Sequence, residues 1–216
     1  MEQIPGIERY RISSIEPNLL TDEIIAFCAG SKKFLPHFHI PLQAGSDAVL
    51  AAMGRRYTTA QFAERIHKLR AQIPDVFLGI DVIVGFPTET DQDFQACYAL
   101  LKELAVSYLH IFPYSVRPDT RAALLPQLSN SVIHQRAKQL GELCLELHQN
   151  YYQSHCGKEV NVLFESKSKD GKLLGYSENY LRVALPYDKN LVNQIVRCKL
   201  DSLIDPQLFL GERLST

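Results

Sequence analysis

A chain of 216 residues allows one or two domains, and 46% hydrophobic with 22% charged residues is the balance of a globular protein. The net charge of −1 argues against a dedicated nucleic-acid binder; residues 157–216 hold nine Lys and Arg against eight Asp and Glu, so any RNA contact must rest on a local patch. No apolar run approaches a membrane span, which makes the cytoplasm the expected location, and Cys28, Cys97, Cys144, Cys156 and Cys198 form no CxxC or CxxxCxxC pattern for a zinc or iron–sulfur site.

Arg9 to Ile15 reads as a strand, though a polar one, with Glu16-Pro17-Asn18 at its end. Thr21 is placed to cap a short helix, DEIIAFCAG, stopping at Gly30. Phe34 to Leu42 is the next strand. Gly45 then supplies a free backbone at the turn, and Ser46 sits at the N-cap of a helix bearing Val49, Leu50 and Met53. Thr58 and Gln61 form a capping-box pair for a second helix with Phe62, Ile66 and Leu69 on its apolar face. Val76 to Val84 is nearly all apolar, as suits a buried parallel strand. Thr90 and Asp93 open another helix, Tyr108 to Phe112 is a further strand, and a long helical pattern runs from about Ser131 to Tyr151. Cys97 and Cys144 fall on apolar helical faces, as buried structural thiols do. This alternation is the α/β pattern.

Beyond Ser154 to Gly157 the pattern changes. Val160 to Phe164, Leu173 to Tyr176, Tyr180 to Leu185 and Gln194 to Leu200 are short strands separated by turn-like residues, a small all-β module of barrel type. The domains are therefore expected at 1–155 and 156–216. Four parallel strands cannot close a barrel, so further strands are expected ahead of Met1.

Polar groups fall at successive strand ends: Glu16, then Gln43 with Ser46, then Asp81, then the stretch Phe112 to Ser115. In a parallel sheet that rim is where ligands bind. A carboxylate there can take an amino group or ribose hydroxyls, and an arginine such as Arg55 can take a carboxylate. Each of these side chains taken alone is equally well an ordinary loop group. His37, His39 and His110 lie on or beside strands, where a packed, hydrogen-bonded imidazole is expected before a metal ligand. Tyr176, Tyr180, Arg182 and Lys199 read equally as an RNA-binding face or as solvent-side sheet residues.

The strings RISSIEP (11–17), HIPLQAGSDAVLAAMGRRYT (39–58), DVIVGFPTET (81–90) and LHIFPYSVRPDTRAA (109–123) together resemble the radical S-adenosylmethionine (SAM) methylthiotransferases, and GYSENYLRV (175–183) is similar to their C-terminal TRAM domain. Ala44, Thr88 and Asp119 stand where that family usually has Ser, Gly and Gly. The resemblance implies an α/β fold: a partial (βα) radical-SAM barrel missing its first strands, then a small TRAM β-barrel. It implies that Glu16, Gln43, Ser46, Arg55 and Asp81 face S-adenosylmethionine, with Val84, Gly85 and Phe112 flanking its adenine. It implies 4Fe–4S clusters whose cysteine ligands lie outside this chain, which alone would be inactive, and an electron donor to reduce them. RISSIEP and GYSENY look most like the branch that methylthiolates threonylcarbamoyladenosine beside the anticodon of tRNA. The isopentenyladenosine and ribosomal-protein branches, a non-catalytic RNA-binding module, and an unrelated α/β barrel enzyme are the alternatives.

Overall fold

The structure is a computed structural model that describes residues 2–167 and 170–214. Helix α1 (Asp22–Gly30) precedes three parallel strands, β1 (His37–Gln43), β2 (Phe77–Val84) and β3 (Tyr108–Pro113). Helices α2 (Asp47–Ala52) and α3 (Thr59–Gln72) connect β1 to β2, and α4 (Asp91–Glu103) connects β2 to β3. A 24-residue helix, α5 (Asn130–Gln153), packs against β3 and leads into β4 (Glu159–Lys167), β5 (Lys172–Ser177), β6 (Arg182–Pro186), β7 (Ile195–Asp205) and β8 (Leu208–Arg213). These five close into a barrel in the order β4-β5-β6-β8-β7.

Strand alternation divides the parallel sheet into two unlike faces. Phe38, Ile40 and Leu42 of β1, Leu78, Ile80 and Val82 of β2, and Leu109 of β3 are buried among the helices. The opposite face carries His37 and His39, then Phe77, Gly79 and Asp81, then Tyr108 and His110. Parallel register sets Gly79 opposite both His39 and Tyr108, and Asp81 opposite both Pro41 and His110.

The helix starts follow local chemistry. Thr58 accepts from the Gln61 backbone at 3.2 Å while the Gln61 side chain accepts from the Thr58 backbone at 2.9 Å. Thr90 and Asp93 repeat that reciprocal cap on α4, and Thr21 caps α1 through the Ile24 amide.

Three expectations are corrected. Arg9 to Ile15 does not form a strand: a single parallel bridge joins Tyr10 to Phe34, and the Ile15 amide donates to the His39 carbonyl at 3.0 Å. Arg11, Ser13 and Ser14 face solvent, so only part of the segment can pack. Gly45 does not provide the turn's left-handed residue; Gln43 does, with φ 67°. Glycine is required at 45 by close approach, because a Cβ there would overlap the Cys97 backbone of α4. The β-module has a fifth strand, β8, unread in the sequence because Asp205 to Arg213 shows no sustained polar/apolar alternation.

Arg136 of α5 is the charged group of the helical layer, with only 6% of its side chain exposed. It donates to Glu89 at 2.5 Å and to Asp91 at 2.7 Å, and lies 5.5 Å above the Phe94 ring. Glu89 also accepts from the Gly85 amide at 2.8 Å, and burial raises its pKa.

Two stability outcomes follow. Arg136→Met strands the buried Glu89 carboxylate and should cost about 3–5 kcal/mol in urea unfolding at neutral pH. A folded-state pKa raised above the unfolded one means that proton uptake favours folding, so the deficit should narrow as pH falls through the carboxylate range. Gly45→Ala should cost more than about 2 kcal/mol, against the few tenths expected of an exposed turn.

Candidate functional site

The carboxyl ends of β1 to β3 form one rim. The β1 end is fixed by the Tyr57 hydroxyl, which donates to the Pro41 carbonyl at 3.0 Å and lies 3.2 Å from that of Leu42. A bulge between Pro41 and Gln43, with the positive φ of Gln43, ends the strand there. Beside it Arg55 Nη1 donates to Glu16 Oε1 at 3.0 Å; the two side chains are 30% and 44% exposed. Two residues of opposite charge, expected to take the two charges of an amino acid, thus hold one another at the surface.

The other rim residues are engaged differently. Ser46 stands at the N-cap of α2 but makes no side-chain cap bond; its hydroxyl donates to Asp93 Oδ1 at 2.5 Å. Gly85, at φ 82°, donates its amide to Glu89, and a Cβ there would strike Ile133. The Val84 carbonyl accepts from Tyr114 at 2.8 Å. The Gly85 amide and the Val84 carbonyl are therefore both engaged within the chain. Phe112, half exposed at the end of β3, lies opposite Ile83. Asp119, in the position noted as usually glycine, has φ 64°. The cavity on the polar face of the sheet is lined by His39 and His110 and not by Glu16, Gln43, Arg55 or Asp81.

Asp81 faces the polar side of the sheet, where His39 Nε2 lies 2.5 Å from its Oδ1. The His110 ring sits 4.8 Å from that of His39. Gly79 lies beside this contact on the same face of β2, and a Cβ on it would sit 3.5 Å from His110 Nε2, an ordinary packing distance. Burial, reinforced by His39, lowers the His110 pKa. His39, Asp81 and His110 are the only group of three His, Cys, Asp or Glu among the described residues whose ligand atoms lie close enough for a metal ion, within 4.8 Å of one another. The thiols do not converge. Cys28, Cys97, Cys144 and Cys198 are buried separately and Cys156 is exposed. Burial pushes Cys97 up to about 12 and Cys28 and Cys198 up to about 11. A three-thiolate iron–sulfur site therefore does not fit the residues present.

A cavity of about 440 Å³ opens between the polar side of the sheet and the β-barrel. Tyr176, Tyr180 and Arg182 line it from the barrel and Arg11, His37 and His110 from the sheet side. Tyr180, at φ 67°, stacks on Tyr176 at 4.8 Å and reaches over His37 and Phe77 at 4.7 and 5.4 Å. Lys199 is not part of this grouping: it is exposed on β7, opposite Glu159 and Glu212. Arg11 and His37 went unassigned as site residues in the sequence. Only the tertiary docking of the β-module, which no short-range pattern encodes, reveals them.

A model of the radical SAM superfamily matches residues 2–121. The threonylcarbamoyladenosine tRNA methylthiotransferase MtaB of Bacillus subtilis is 36% identical over 203 residues, 92% of this chain and 45% of the relative. The tRNA-2-methylthio-N(6)-dimethylallyladenosine synthase of Cereibacter sphaeroides is 34% identical over 215 residues, 99% and 49%. The chain thus spans about half the length of the curated relatives it matches. Coproporphyrinogen III oxidase (HemN) from Escherichia coli, a radical SAM enzyme, shares the fold with TM-score 0.52 and 12% identity over 89% of this chain and 46% of that one. A parallel sheet with its polar groups on one face and at one rim, matched by the superfamily model over more than half of the chain, identifies this protein as a member of the radical SAM superfamily.

Proposed function

We propose that this chain is the C-terminal part of a tRNA methylthiotransferase acting on the adenine of N6-threonylcarbamoyladenosine beside the anticodon. Residues 1–155 would be a partial radical-SAM barrel and 156–216 a TRAM-like RNA-binding domain. The observation that carries the reading is the Arg55–Glu16 pair beside the distorted end of β1. Glu16 and Arg55 would hold S-adenosylmethionine, which together with a 4Fe–4S cluster would supply the radical for this chemistry. The cluster's thiolates come from outside this chain, so the chain alone is inactive, and an electron donor serves the complete enzyme.

The roles of the residues follow from their charge and place. Arg55 exchanges Glu16 for the ligand carboxylate, while Glu16 takes the ammonium group; partial exposure keeps the exchange inexpensive because both charges stay near water. Gln43 and Asp81 offer acceptors to the ribose, with His39 holding the Asp81 carboxylate in place. Val84, Gly85 and Phe112 give the adenine a flat apolar flank. Ser46, tied to Asp93, orients the loop before α2. Tyr176, Tyr180 and Arg182 contact RNA, with Lys199 as a separate phosphate contact.

Two measurements test this. Calorimetric titration of S-adenosylmethionine into the full-length protein should show Arg55→Ala binding about tenfold to a hundredfold more weakly, the worth of one charged hydrogen-bonded pair. Equal affinity in both proteins would reject Arg55 as the carboxylate partner. For RNA, the affinity for a tRNA anticodon arm should fall with salt, and Lys199→Ala should reduce the slope of log K against log salt by about 1. An unchanged slope would remove Lys199 from the interface.

A further inference from the structure

The cavity between the two modules has an unusual charge make-up. Two guanidinium groups, Arg11 and Arg182, line it, and no carboxylate does. Among the described residues neither arginine forms an ion pair. Arg11 is instead held 4.9 Å above the Tyr180 ring. Below them His37 is 9% exposed, and its Nδ1 has no hydrogen-bond partner. Burial, with the charge of Arg11, brings the His37 pKa down to about 4, so this imidazole is neutral at physiological pH. The walls are aromatic: Phe77, Tyr108 and Tyr180. A pocket with two uncompensated cations and flat aromatic walls suits a planar ligand that carries an anion.

The two kinds of relative differ in that respect. A threonylcarbamoyl substituent has a planar urea and a free carboxylate; a dimethylallyl substituent is a hydrocarbon. Identities of 36% and 34% do not separate the two. The cavity does. A hydrocarbon there would strip water from two guanidiniums and give them no partner, whereas a carboxylate would pair with them. Position also fits. The methylthio position of the dimethylallyl relative is C2, and the distinguishing substituent sits on N6, which projects away from C2. With C2 turned toward the rim, N6 points along the polar face past His39 and His110, and both residues line the same cavity.

We propose that Arg11, aided by Arg182, binds the carboxylate of the N6-threonylcarbamoyl group of the target adenosine, so that this cavity selects the charged nucleoside over the prenylated one. The proposal rests on the methylthiotransferase reading above and deepens it to substrate choice. Arg11 takes the carboxylate from above Tyr180, and Arg182 closes on it from β6.

The test is calorimetry of the full-length protein with three nucleosides: N6-threonylcarbamoyladenosine, its methyl ester and N6-dimethylallyladenosine. The free carboxylate should bind about tenfold to a hundredfold more tightly than either neutral ligand. Arg11→Gln should abolish most of that preference, and Arg11→Lys, which keeps the charge, should retain part of it. Both substitutions are on an exposed side chain, so folding is not at stake. Equal binding of acid and ester, preference for the dimethylallyl nucleoside, or an unchanged preference in Arg11→Gln would each overturn the proposal. A dimethylallyl preference would leave the methylthiotransferase reading standing. Failure to bind S-adenosylmethionine, measured separately, would strike that reading and not the carboxylate preference.

Discussion

The two-residue period of a parallel strand is the constraint on which this molecule rests. Because successive side chains of β1, β2 and β3 point to opposite faces, every apolar residue given to the helices leaves its neighbour on the other side. Phe38, Ile40, Leu42, Leu78, Ile80 and Val82 are all fully buried. Their sequence neighbours His37, His39, Gly79 and Asp81 are thereby fixed on the polar face at heights set by register. A slip of one residue would send the imidazoles into the helical core and Ile40 to the polar side. The core thus positions the polar face without touching it, and the His39–Asp81 contact is set by the register that Leu78 and Ile80 hold from the reverse of β2.

Across that face the His39 and His110 rings of β1 and β3 meet over β2, with Gly79 as the middle-strand residue between His39 and Tyr108. At the other end of the sheet, six residues and roughly 20 Å from Gln43, the β-module is docked. Its attachment is dense. The Tyr151 hydroxyl is 3.0 Å from the Asp75 carbonyl and 2.9 Å from that of Asn179, Lys158 pairs with Asp75 at 2.6 Å, and Tyr152 accepts from the Arg182 amide while stacking on Phe209. Both tyrosines belong to the last turns of α5, so one helix carries the sheet packing and the barrel docking together. The positive φ of Tyr180 is sustained by that docking, which presses its ring onto His37 and Phe77.

Features decided within a few residues were legible in the sequence. Thr58 with Gln61 and Thr90 with Asp93 state their own helix starts, since a capping box closes over three positions. The buried run of β2 declares itself by composition. What depended on distant partners was not legible. Ser46 has the identity and place of a cap, yet Asp93, 47 positions away, takes its hydroxyl. The polar stretch at 9–15 alternates as a strand would, but strands need a neighbour along their whole length, and Tyr10 finds one only at Phe34. Among the proposed ligand contacts, Arg55 and Glu16 were readable as complementary charges, whereas the turn of Asp81 toward His39 follows from a register that sequence alone does not give. The grouping of Tyr176, Tyr180 and Arg182 without Lys199 likewise depends on how the barrel closes.

The arginines show how burial sorts one side chain into different tasks. Arg136, almost fully enclosed, has its two carboxylates and the Phe94 ring permanently in place; moving it would strand Glu89, so it can only be structural. Arg55 is about one-third exposed and has a single carboxylate at 3.0 Å, a bond weak enough in that setting to be exchanged for a ligand's. Arg11 is exposed, carries no carboxylate among the described residues, and is held only by the face of Tyr180, which orients the guanidinium yet leaves its hydrogen-bond donors available. A charge held in place but left without a counter-ion has its remaining binding energy to give to whatever anion enters. In this chain that condition is met at the cavity joining the sheet to the barrel, which is the physical basis of the proposed preference for a carboxylate-bearing nucleoside.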